Sequence, residues 1–104
     1  PPPDDVVEIP VGAVVDAGKQ SVVFVQTDPN KSEFTLRRVQ LTHRFDRTVF
    51  ARCQLSEAER RLSDEESEAG LLPREPLLKG ERVLTIGALE LKKELEDRES
   101  NKPQ

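Results

Sequence analysis

Val6-Val7-Glu8-Ile9-Pro10-Val11-Gly12-Ala13-Val14-Val15-Asp16-Ala17-Gly18-Lys19-Gln20-Ser21-Val22-Val23-Phe24-Val25 is the stretch that decides the fold class. Val and Ile dominate it, and Pro10, Gly12 and Gly18 punctuate it. Side chains branched at Cβ are stiff and suit a half-buried pleated surface. The stretch reads as three short strands at about 6–9, 13–15 and 21–27. Asp16-Ala17-Gly18-Lys19 joins the second and third as a hairpin turn, with Gly18 free to take a positive φ.

Downstream, Asp28-Pro29-Asn30-Lys31 carries the residue preferences of a type I turn. It leads into a strand at about 33–42 whose alternation breaks. Phe34 and Leu36 fall on even positions, Val39 and Leu41 on odd ones, and Arg37-Arg38 lies where the parity changes. A one-residue slip predicts a β-bulge or a sharp bend there, and so a curved barrel or roll over a flat sheet. Val49, Ala51, Cys53 and Leu55 alternate with Phe50, Arg52 and Gln54, which predicts a strand at about 48–54. Upstream of it all, three prolines at the start favour an extended linker over 1–5.

The character then changes. Residues 56–69 carry six acidic and two basic side chains. Ser56 with Glu59, and Ser63 with Glu66, each match a capping box, so one short helix is expected to start near either serine and to stop by Gly70. Lys79-Gly80-Glu81 turns the chain into a last strand at 82–86, and 88–99 is helical in type, with Ala88, Leu91 and Leu95 on one stripe. Residues 100–104 read as a disordered tail. The expected fold is therefore mainly β: a small antiparallel β-barrel or roll over 6–99, with a partly helical acidic insertion at 55–75 and a short C-terminal helix.

The chain has 104 residues, which is one small domain with a modest core. It has four Phe and no Trp or Tyr, so that core must rest on Val, Leu and Ile. A formal net charge of -4 gives no long-range attraction for nucleic acid or an anionic membrane. No apolar run is long enough to span a bilayer, and no signal peptide opens the chain. Pro1-Pro2-Pro3-Asp4-Asp5 reads as the middle of a longer protein, so a missing targeting segment assigns no compartment.

No constellation of residues carries catalysis. His43 is the single histidine and has no second His or Cys at ligand spacing; it reads as a surface or strand-end residue. Cys53, the single cysteine, shares parity with the apolar positions and reads as a small buried hydrophobe. Asp64-Glu65-Glu66 with Glu68 lacks the alternating oxygens and central glycine of a calcium loop and reads as a solvated helix face. Arg37-Arg38 lacks the basic field and the stacking aromatics of a nucleic-acid site. No catalytic, metal or cofactor-binding residue is expected, and the sequence names no partner-contact residues.

Four segments, in order, resemble the C-terminal, membrane-proximal part of periplasmic adaptors, the membrane fusion proteins of RND-type efflux pumps (the HlyD-like secretion family). Ile9-Pro10-Val11-Gly12-Ala13-Val14-Val15 resembles the family's V-P-x-x-A-V-V, and residues 18–25 resemble its hairpin ending in V-F-V. Residues 34–39 resemble the stretch whose arginine precedes a Val-rich strand, and residues 78–92 resemble L-x-x-G-E-x-V-V-x-x-G-x-x-x-L-K. The likeness spans 6–95; the insertion at 55–75 departs from the family pattern.

The resemblance implies a non-catalytic, periplasmic assembly domain without cofactors. Its implied partners are an inner-membrane RND transporter, an outer-membrane channel reached through the whole adaptor, and other adaptor protomers. It also implies strands supplied from the N-terminal side of a longer chain, without which a sheet edge is left open. Two rivals are an adaptor of a type I secretion or ABC-type exporter, and a small β-barrel ligand binder, which predicts a pocket of convergent polar groups. Nucleic-acid binding ranks last.

Overall fold

A computed structural model of the chain describes residues 3–85. In chain order these form β1 (Val6–Pro10), a 3-10 turn (Val11–Ala13), β2 (Val15–Ala17), β3 (Gln20–Gln26), β4 (Thr35–Arg38), β5 (Leu41–Arg44), β6 (Thr48–Arg52), α1 (Glu57–Arg60), α2 (Asp64–Glu68) and β7 (Arg82–Val83). The fold is mainly β, and every strand pairing is antiparallel. The last strand, expected over 82–86, stops at Val83, and Leu84 and Thr85 are not in a strand; Ile86, the expected helix at 88–99 and the tail lie outside the described residues.

Two sheets divide the strands. One has the order β1-β6-β5; in the other, β3 pairs with β4 along one edge and with β2 and then β7 along the opposite edge. β3 is thus covered on both edges, and it is buried on both faces. Val23 and Val25 join Ile9, Val39, Val49, Ala51 and Leu77 in the main core. Val22 and Phe24 point the other way, to Val15 and the half-buried Leu72 and Leu84. The unbroken apolar run Val22–Val25 follows from this double burial, because only a strand covered on both faces has no reason to alternate.

The strand expected at 33–42 is two strands in two sheets. β4 pairs with β3, β5 pairs with β6, and the chain crosses between them at Val39-Gln40. The Val39 N–H donates to Ser21 of one sheet at 3.0 Å, and Gln40 accepts from the Arg52 N–H of the other at 2.8 Å. The parity change therefore marks a strand switching sheets at a corner. The bulge lies in β5 instead of at Arg37-Arg38: Leu41 faces Ala51 and Arg44 faces Val49, which places one extra residue on β5.

The strand expected at 13–15 is displaced. Residues Val11–Ala13 form a 3-10 turn closed by the Val14 N–H on Val11 O, and the strand runs over Val15–Ala17. Its hairpin closes as expected on Gly18, at φ 72. The turn at 28–31 also forms, with the Lys31 N–H on Asp28 O and the Asn30 N–H on the Asp28 carboxylate. Within the expected linker, the Asp5 carbonyl accepts from the Cys53 N–H, so residue 5 is tied to the fold.

The acidic insertion holds two helices where one was expected. Both capping boxes form, Ser56 with Glu59 and Ser63 with Glu66. Arg61 is extended at φ -68, ψ 136, so the first helix stops after one turn and the second serine starts another. Gly70, at φ 75, ends α2 in a Schellman arrangement: Leu71 N–H donates to Glu66 O and Gly70 N–H to Ser67 O. The chain then runs along β4, with the Glu75 N–H on Arg38 O and the Leu77 N–H on Arg52 O, and drives Leu77 into the core.

Candidate functional site

Arg37 and Arg38 are neighbours on β4 and therefore project to opposite faces. Arg37 pairs with Glu81 and also donates to Pro76 O at 3.3 Å. Arg38, only 5% exposed, donates through Nη1 to Glu66 Oε2 at 2.9 Å and to Leu72 O at 3.1 Å. Arg74 donates to the same Glu66 oxygen at 3.0 Å. The two arginines thus fasten the middle and the end of the 56–81 excursion to the sheet. Their basic character is spent inside the molecule, apart from the guanidinium donors of Arg38 that these bonds leave free.

The carboxylates of this network are held charged. Glu66 is lowered from 4.5 to about 2, first by the Ser63 backbone N–H and then by Arg38, with Arg74 adding its charge against some desolvation. Glu59 is lowered chiefly by the Ser56 backbone N–H and hydroxyl. For Glu81, burial raises the pKa, but the Arg37 hydrogen bond, the Leu78 N–H and the Arg37 charge together outweigh it. A carboxylate whose folded pKa lies below its unfolded 4.5 stabilises fully above that pH and loses the contribution as pH falls through the folded value. Amide exchange across residues 63–72 is therefore expected to stay slow from pH 7 to about 5 and, relative to the core strands, to accelerate as the pH approaches 2.

The residues singled out in the sequence do not converge. Cys53 follows β6 and is half-buried, its thiol 3.4 Å from Asp4 O, where full burial was expected. Asp64, Glu65 and Glu68 lie exposed on α2 without an ion pair among the described residues. No cluster of three His, Cys, Asp or Glu suited to a metal occurs among the described residues.

His43 does have a setting that the sequence reading missed. The outer face of the β1-β6-β5 sheet carries Phe50 on β6, with Phe45 edge-on at 4.9 Å between centroids and His43 at 6.4 Å. Phe45 is 49% exposed. An open groove lined by Pro3, Asp5, Val6, Thr42, His43, Phe50 and Arg52 adjoins the rings. Arg44, Asp46 and Arg47, neighbours of these residues in the chain, are exposed and without an ion pair among the described residues. β5, at the end of the sheet, leaves its outer edge without a strand partner among the described residues. Two of the four Phe and the single His fall within eight residues, which was the available signal.

Exposed Phe45 and His43 on a half-buried Phe50, at an open strand edge, are features that protein-binding surfaces share. No family model, curated protein or solved structure matches the chain.

Proposed function

We propose that this chain is a non-catalytic assembly domain of a periplasmic efflux adaptor. It docks on an inner-membrane RND transporter and helps couple that transporter to an outer-membrane channel. The observation that carries the reading is the His43–Phe50–Phe45 face on the open end of the β1-β6-β5 sheet. Rings such as these bury a large area at a low cost in side-chain entropy, which makes them effective anchors at an interface. The choice of an adaptor rests on the ordered likeness of residues 9–15, 18–25, 34–39 and 78–92 to that family.

The test is photocrosslinking in cells from position 45 of the full-length protein. Capture of the RND transporter encoded beside it supports the reading. Capture of an ABC-type exporter assigns the domain to the other adaptor class, and capture of neither overturns assembly through this face.

A further inference from the structure

We propose that the polar groove between the β2–β3 turn and the Arg38–Arg74 bridge binds a phosphate group. The groove is open, holds about 290 Å³, and is lined by Lys19, Gln20, Ser21, Arg38, Gln40 and Arg74 together with two apolar residues. Arg38 and Arg74 meet there as an isolated bridge between β4 and the strap that follows α2.

The charge in this groove is unbalanced. Three cations, Lys19, Arg38 and Arg74, share one carboxylate, Glu66, and a single oxygen of it serves both guanidinium groups. That leaves a surplus of two positive charges. Asp16, exposed and accepting from the Ser21 hydroxyl at 3.3 Å, lies beside the lining as Glu66 does and reduces the surplus to one. Lys19 has no ion pair among the described residues.

Donors are also left over. Arg38 uses only Nη1 on Glu66 and Leu72. Its Nε and Nη2 make no hydrogen bond among the described residues, yet neither is sealed from solvent, since Arg52 Nε is the one buried side-chain nitrogen without a partner among them. A guanidinium largely withdrawn from water, with free N–H groups at a polar opening, is poorly hydrated and suits a bidentate oxyanion. A phosphate brings three strong acceptor oxygens as well as about -1.5 to -2 of charge at pH 7, and so can engage more of these donors at once than a carboxylate can. Gln20 is already fixed by accepting the Leu72 N–H at 3.0 Å, so its amide nitrogen is held near the site. The inference is independent of the assembly reading.

The experiment is an NMR titration of the whole chain with inorganic phosphate, at constant ionic strength against chloride. Saturable shifts of the amides of Lys19, Gln20, Gln40 and Arg74 are expected. Lys19→Ser, an exposed position, should weaken binding about fivefold without changing the rest of the spectrum. Competition by phosphatidic acid vesicles, and not by phosphatidylcholine vesicles, makes the natural group a lipid phosphomonoester headgroup; saturable binding without competition makes it a free phosphate or a soluble phosphate ester. Shifts that do not saturate, or an affinity unchanged in Lys19→Ser, overturn the proposal.

Discussion

Replacing Leu77 with alanine is expected to lower the free energy of unfolding by about 3 kcal/mol, read from urea denaturation with an unchanged slope. Leu77 is 1% exposed and packs with Ile9, Val23, Val25, Val39, Val49 and Ala51. Most of these neighbours are short, and they sit on strands whose ladders hold the backbone in place. The Leu77 N–H is itself fixed on Arg52 O at 3.0 Å. The site can therefore collapse only slightly, and a cavity remains in addition to the lost transfer energy. Small domains are stable by only about 5–15 kcal/mol, so the loss is a large fraction of the whole. A change below about 1 kcal/mol would mean that the strap over 71–77 does not close the core.

Arg38→Ala is expected to cost about 2 kcal/mol and to speed amide exchange from Glu66 to Leu72. The side chain lies 6% exposed against Glu66 and Leu72 O, and its removal leaves that carbonyl without its donor. The cost falls below that of breaking an isolated buried pair, because Glu66 keeps Arg74 and the Ser63 cap. Arg38→Lys should recover little, since both acceptors are served from Nη1 and the lysine ammonium sits one bond short of that position. Unchanged stability and unchanged exchange in Arg38→Ala would show that the clamp does not hold the excursion down.

The β class was legible because it rests on local chemistry: branched side chains, turn residues and alternation at 48–52. The two capping boxes were legible for the same reason, since each closes within four residues. That both are used was not, because each serine alone satisfies the local pattern. Arg38 shows where local reading stops. An arginine in a strand reads as solvent-facing, and its burial depends on Glu66, 28 residues away. The break at 37–39 was visible as a change of face, but parity cannot distinguish a bulge within one sheet from a crossing between two. Leu77 lies just past two prolines with no periodicity around it, so nothing in the sequence marked it as core. The ring cluster was missed because His43 was weighed for ligands, Phe50 only for strand parity, and Phe45 not at all.

The proposed assembly through the aromatic face is tested most directly by co-purification of the proposed partner, an inner-membrane RND transporter, with the protein carrying Phe45→Glu. Position 45 is exposed, and Phe50 keeps His43 as a neighbour, so the variant should fold with near-normal stability. Burying a carboxylate in an apolar contact costs several kcal/mol, so recovery of the transporter should fall at least about tenfold. Recovery equal to the wild type, with the variant folded, would contradict docking through this face.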